Sequence, residues 1–185
     1  ILDPDRIPSG IDDSKALDED DREALYARIL ATSVVGVGIA DVTRIDRDNI
    51  LQASLWAMAQ ALEALSQRPT LALVDGNKLP VLPCQGRAIV RGDAKCVSIA
   101  AASIVAKVTR DRLMVDLSRE LPGYGFERHK GYGTPEHQAA IKRHGVTAHH
   151  RRSFKPIQLA LGLVEPEPAR ASLGQAALAT ARRSG

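Results

Sequence analysis

An α/β domain is the fold class this sequence predicts, and three observations carry it. Short apolar runs of strand length, at 34–40, 70–74 and 88–90, alternate with segments that repeat apolar residues at helical spacing. Turn residues separate them, at Pro8-Ser9-Gly10, Asp75-Gly76-Asn77 and Arg91-Gly92-Asp93. The 185 residues are 44% hydrophobic and 25% charged, enough for one core and too ordinary for disorder, collagen or a coiled coil.

The elements follow in order. A helix opens at Leu17-Asp18: Asp18 can cap it, acids fill its first turn, and Leu25 and Ile29 sit four apart. Ser33–Asp41 reads as a buried strand through Val34-Val35-Gly36-Val37-Gly38-Ile39-Ala40. A second helix starts at Asp46 or Asp48, with Leu51, Leu55, Met58, Leu62 and Leu65 on one face and Trp56 beside them as core. Pro69 ends it, and Thr70–Val74 is a short strand. Pro80–Pro83 is loop, and Ala88–Val90 is a third strand.

Ser98–Leu121 reads as one long helix whose Ala-rich first half is buried. Pro122–Tyr132 is a glycine-rich loop carrying Tyr124, Phe126, Arg128, Lys130 and Tyr132. Thr134-Pro135-Glu136 is a helix start, and Gly145 the stop. Three strands make a small sheet, one or two short on its N-terminal side. Residues 1–163 form one domain in this reading, and 164–185 a mobile tail.

Charge is unevenly placed. Residues 1–50 carry a net charge of −6, and residues 121–155 carry +5 together with all five histidines. A basic C-terminal half suits a polyanion partner or a solvated face. Cys84 and Cys96 lack disulfide or zinc spacing and read as free thiols of a reducing cytoplasm. No run approaches 18 apolar residues, so no membrane helix is expected, and the charged start speaks against a signal peptide.

Two carboxylates stand out. Asp75 directly follows one apolar strand, and Asp93 follows another after two residues. Carboxyl ends of strands are where open α/β sheets bind ligands. If the strands are parallel, both acids project from one edge, and paired hard oxygens suit Mg²⁺ or Mn²⁺. As turn and cap residues they would need no metal. Aromatics among basic residues at 123–132 suit sugar stacking and phosphate contact. A histidine metal site finds no supporting spacing.

Taken together, Asp13-Ser14-Lys15, Leu73-Val74-Asp75-Gly76-Asn77, Gly92-Asp93-Ala94-Lys95, the run from Ser98 to Asp111, Tyr124-Gly125-Phe126, His129 to Thr134 and His149 to Phe154 resemble bacterial ribonuclease HII. The motifs stand in the family's order over roughly residues 1–163. The resemblance implies a ribonuclease H-like mixed sheet flanked by helices, with a helical C-terminal region. It implies endonucleolytic cleavage of RNA in RNA–DNA hybrids, including 5′ to one ribonucleotide embedded in duplex DNA. Such cleavage leaves 3′-hydroxyl ends and serves ribonucleotide removal and repair.

The resemblance also implies four carboxylates holding Mn²⁺ or Mg²⁺, of which Asp75 and Asp93 match the third and fourth. Tyr132 matches the tyrosine that senses the ribose, Ser14 and Lys15 match a segment near the substrate, and Lys107 and Ser103 are candidate phosphate contacts. A monomer is implied. The family's first motif, a strand ending in Asp-Glu followed by Gly-Arg-Gly, has no counterpart between residues 1 and 185. The reading therefore places it before residue 1 and expects the full-length protein to be active and these residues alone not to be. The alternatives are a non-catalytic hybrid- or duplex-binding fragment, another metal-dependent phosphotransfer enzyme, and a partner-binding domain without metal.

Overall fold

The computed structural model describes residues 1–165. All but the first two residues of the expected tail lie outside them. The described chain is α/β, as expected, but its sheet is small. Strands β1 (Leu71–Asp75) and β2 (Gln85–Ile89) pair in parallel, with Asp75 opposite Ile89. Seven helices surround them: α1 (Glu19–Thr32), α2 (Val42–Asp48), α3 (Ile50–Glu63), α4 (Val97–Glu120), α5 (Phe126–His129), α6 (Pro135–His144) and α7 (Lys155–Ala160). An antiparallel bridge joins Leu2 to Ser33.

The core forms where the helical patterns are cleanest. Leu25 and Ile29 of α1 meet Ala101, Ile104, Val105 and Val108 of α4, all buried, with Ile104 fully so. Their spacings of three and four keep each set on one face. Asp18 caps α1 by accepting the Asp21 N–H, and Thr134 caps α6 by accepting the His137 N–H, as the sequence leads one to expect. A second cluster joins Tyr124, Phe126 and Ala140 beside Met114 and Leu117 of α4. So α4 is the spine: its first half packs on α1, and its second half carries the 124–141 region.

Three expectations need correction. Residues 34–40 form no strand ladder among the described residues: the backbone pairing at their start, between Ile1 and Val34 beside the Leu2–Ser33 bridge, goes no further along the segment. They lie instead against α3. A Cβ on Gly38 would come within 2.0 Å of the Ala57 carbonyl oxygen, and one on Gly36 within 2.2 Å of that of Ala61. Only glycine permits this approach.

The helix expected from Asp46 or Asp48 is two helices. Asp41 caps α2, and Asn49 breaks the chain with φ 68° and caps α3. The α3 stripe is also not core. Ala53 is its buried residue, Leu51 and Met58 are exposed, and Trp56 lies half-buried with the Arg44 guanidinium 3.9 Å above its ring. The alanine face wins the inner position because only small side chains fit against the glycine-bearing segment. On α4, likewise, Ala102 and Ala106 are exposed although six neighbours in the first half are buried.

Candidate active site

The parallel register decides where the two acids go. Asp75 ends β1 beside Ile89, the last residue of β2. Val90 and Arg91 turn the chain, with Arg91 in the left-handed region at φ 56°, and a single 3₁₀ turn, Gly92–Ala94, carries Asp93 back toward β1. The Gly92 N–H donates to Asp75 Oδ1 at 2.7 Å. The residue next to Asp93 is thus tied to the Asp75 carboxylate. The Cys96 N–H then donates to the Gly92 carbonyl at 2.8 Å, and α4 begins one residue later. Both acids therefore sit at one sheet edge beside the start of the spine helix.

An ammonium group already answers the charge of Asp93. Lys15 Nζ donates to Asp93 Oδ2 at 3.2 Å and lies 3.9 Å from Asp13 Oδ1. The Lys15 pKa is raised, first by its bond to Asp93, then by the fields of Asp13, Asp93 and, further off, Asp75. The same bond holds the Asp93 carboxyl below its ordinary range against the opposing effect of desolvation. The Asp93 side chain is only 12% exposed, whereas that of Lys15 is 80% exposed. The acid is fixed and its partner is not.

The other sequence candidates divide between this edge and a second cluster. Ser14 is buried, and its carbonyl accepts Arg22 Nη1 at 3.0 Å, so Ser14 anchors the segment from which Lys15 projects. Ser103 gives its hydroxyl to the Ala100 carbonyl at 2.8 Å, inside α4. Lys107, four residues on, pairs with Asp111 at 2.8 Å and stands 5.4 Å from the Tyr132 ring centre. Tyr132 is 54% exposed, the one exposed aromatic side chain among the described residues. It packs against a position ten residues into α4, the helix that starts beside the acid edge.

Sequence reasoning missed three contributors here. Arg110 sits 4.9 Å from the Tyr132 ring centre and donates through Nη2 to the Lys130 carbonyl. Asp111 holds Lys107 in place. His137 bonds the Tyr132 carbonyl through Nδ1 at 3.0 Å. The i, i+3 and i+4 spacing of Lys107, Arg110 and Asp111 was a readable sign that they share a face. The concentration of histidines was the sign for His137.

The family model described as Ribonuclease HII matches residues 6–157. The chain belongs to the ribonuclease HII family. The ribonuclease HII of Azorhizobium caulinodans is 58% identical over 158 residues, 85% of this chain and 61% of that protein. That of Xanthobacter autotrophicus is 57% identical over 158 residues, 85% of this chain and 64% of that protein. That of Rhodopseudomonas palustris strain BisB5 is 54% identical over 169 residues, 91% and 57% respectively. This ribonuclease HII chain thus spans about three fifths of the length of the curated relatives it matches.

The crystal structure of ribonuclease H2 from Pyrococcus horikoshii OT3 shares its fold, with a TM-score of 0.71, 23% identity and coverage of 88% of this chain and 87% of that one. Among the described residues no helix is long and apolar enough to cross a membrane, and no three or more His, Cys, Asp or Glu side chains group as a metal site. Both cysteines are free thiols.

Proposed function

We propose that the protein is a metal-dependent endonuclease that hydrolyses the RNA strand of RNA–DNA hybrids. It also cuts 5′ to a single ribonucleotide embedded in duplex DNA, leaving a 3′-hydroxyl, and so serves ribonucleotide removal. Family membership supports the reaction class. One observation supports its placement on these residues: the register of β1 and β2 brings Asp75 to the turn that carries Asp93, with the Gly92 N–H bonded to Asp75 and the Lys15 ammonium bonded to Asp93.

The donor set fits Mg²⁺ or Mn²⁺. Both side chains are hard oxygen donors, and Mg²⁺ keeps several waters and needs only one or two carboxylates from one face. That a cationic side chain is drawn to the spot, with its pKa raised, supports the same fit. A divalent ion held there supplies Lewis-acid stabilisation of charge on the attacking and leaving oxygens.

The chain's own residues do the rest. Asp75 and Asp93 hold the cation. Lys15, exposed and carried by the segment that buried Ser14 anchors, exchanges Asp93 for a substrate phosphate. Lys107 and Arg110 flank Tyr132 with positive charge, and Ser103 completes that face of α4. The Tyr132 ring packs against the ribose, whose 2′-hydroxyl separates RNA from DNA. The basic 121–155 region grips phosphates, so binding weakens steeply with salt.

The test is cleavage of a duplex carrying one ribonucleotide by the full-length protein, with Mn²⁺, Mg²⁺ or a chelator. Metal-dependent cutting on the 5′ side of the ribonucleotide is expected. Retention of the duplex with no cutting at any metal concentration overturns the nuclease reading in favour of a binding module.

A further inference from the structure

Beneath the Tyr132 turn lies a stack of three histidines that the acid edge does not use. His129, His137 and His150 are each less than a tenth exposed. The His129 and His137 rings stack with centres 4.5 Å apart, and His137 and His150 with centres 5.3 Å apart. Phe126 packs edge-on against the first two, and Tyr124 closes the cluster beside His150.

Hydrogen-bond partners fix where each proton sits. The Thr147 N–H donates to His150 Nδ1 at 3.1 Å. A ring nitrogen that accepts carries no proton, so the His150 proton is on Nε2. That atom lies 3.2 Å from His137 Nε2, which must then accept. The His137 proton is therefore on Nδ1, 3.0 Å from the Tyr132 carbonyl, which can only accept. The chain runs one way, from the 147 loop to the backbone of Tyr132.

His129 holds the other side of the turn. Its Nε2 donates to the Tyr124 carbonyl at 2.8 Å, its Nδ1 accepts the Gly131 N–H at 3.2 Å, and its carbonyl accepts the Tyr132 N–H at 2.8 Å. Every ring nitrogen of the three is used, with one proton on each ring.

This support acts where the backbone most needs it. Glycines flank Tyr132 on both sides, and Gly131 takes φ +75°, so local backbone bonds alone leave the peptide more freedom than a side chain braced from the core allows. Lys107 and Arg110 meet the ring, Arg110 also donates to the Lys130 carbonyl, and the Thr134 N–H donates to the Tyr132 carbonyl at 2.8 Å, so His137 is the side-chain donor to that carbonyl beside one backbone donor. We propose that His137, backed by His150, is a positioning residue that sets the Tyr132 backbone and hence the height at which the ring meets the ribose. The proposal rests on reading Tyr132 as the ribose contact.

Two measurements on the full-length protein test it. Long-range ¹⁵N–¹H correlation should find His137 protonated on Nδ1 and His150 on Nε2, and the opposite tautomer of His137 overturns the relay whatever the protein's activity. The second compares His137→Asn, whose amide nitrogen sits where Nδ1 does, with His137→Leu. The Leu variant should shift the Tyr132 carbonyl ¹³C resonance and lose about tenfold in cutting at a single embedded ribonucleotide, with KM for a continuous hybrid little changed. The Asn variant should restore both.

Wild-type values in His137→Leu, or no rescue by Asn, overturns the positioning role. Should His137→Leu not fold, His150→Phe removes the donor to His137 Nε2, so that nitrogen's ¹⁵N resonance should move while the Tyr132 carbonyl keeps the proton on Nδ1; an unmoved Nε2 resonance overturns the relay. If wild type itself does not cut, the nuclease reading fails. The resonance shifts still decide whether His137 holds Tyr132.

Discussion

The acid edge and the histidine stack each hold a functional group in place, and they do so with opposite chemistry. At the edge, Asp93 is fixed by its 3₁₀ turn, yet its partner Lys15 is mostly exposed and bonded at 3.2 Å. In the stack no group is charged in the bonded arrangement, each ring is buried, and each nitrogen has a partner. Charge near water is inexpensive to keep and easy to re-pair. A neutral buried chain survives only when every donor meets an acceptor, and it is rigid for that reason. The difference assigns exchange of partners to the edge and fixed geometry to the stack.

Removing a charge at the edge gives the largest effect on rate. Asp75→Asn in the full-length protein should lower kcat by about 10³-fold, the equivalent of about 4 kcal/mol of lost transition-state stabilisation. Hybrid binding should persist, because the basic region proposed to grip phosphates is untouched. A kcat within a few fold of wild type would remove Asp75 from the metal site. Breaking the other region acts on stability instead. Phe126→Ala empties a site that is 2% exposed between three histidine rings and should cost about 3–5 kcal/mol by urea denaturation. A loss below about 1 kcal/mol would mean the stack is not a packed unit.

The edge was far more legible in the sequence than the stack. Asp75 and Asp93 could be read because an acid just past an apolar run marks a strand's carboxyl end, and the rule needs only local pattern. The caps Asp18 and Thr134 were local too. The 34–40 segment was misread because a strand is made by its neighbour, and among the described residues its pairing ends at Val34 with Ile1. The α3 stripe was misread for a related reason: a helix with apolar residues on one face and alanines on another does not announce which face meets Gly36 and Gly38. The stack was illegible because its bonds join residues 13 apart through tautomers that no spacing encodes. Five histidines within 35 residues were the sole hint.

Acid should loosen the stack before it touches the edge. Burial, then the neighbouring His137, push His150 down to about 4, and burial also lowers His137. The Tyr132 carbonyl, Thr147 and the His129 and His149 imidazoles are the other polar groups facing this pair. A histidine depressed in the folded state takes up its proton first when unfolded, so stability is full above pH ~6.5 and falls as pH drops toward about 4. For His150 alone the loss between pH 7 and pH 5 is about 2 kcal/mol. Urea midpoints across that range should show it, and His150→Gln should flatten the slope. The depressed carboxylates Asp46, held by Ser153 and Arg152, and Asp93, held by Lys15, lose their contribution mainly below about pH 4, so they add little to the change between pH 7 and pH 5.

The smallest effect sharpens the comparison most. If Lys15 is an exchangeable partner, it competes with a divalent ion for Asp93. Lys15→Met should then tighten Mn²⁺ binding to the substrate-free, full-length protein by about two- to fivefold, the range a solvent-exposed ion pair can hold back. The Asp93 carboxyl should titrate closer to its ordinary range once the ammonium is gone, which ¹³C NMR of the side chain reads directly. Turnover should fall in the same variant, since the phosphate contact is lost while the metal is held better. Opposite signs for binding and rate are what an exchangeable cation demands. Weaker Mn²⁺ binding in Lys15→Met would make Lys15 a structural brace, and the edge would then be as fixed as the stack.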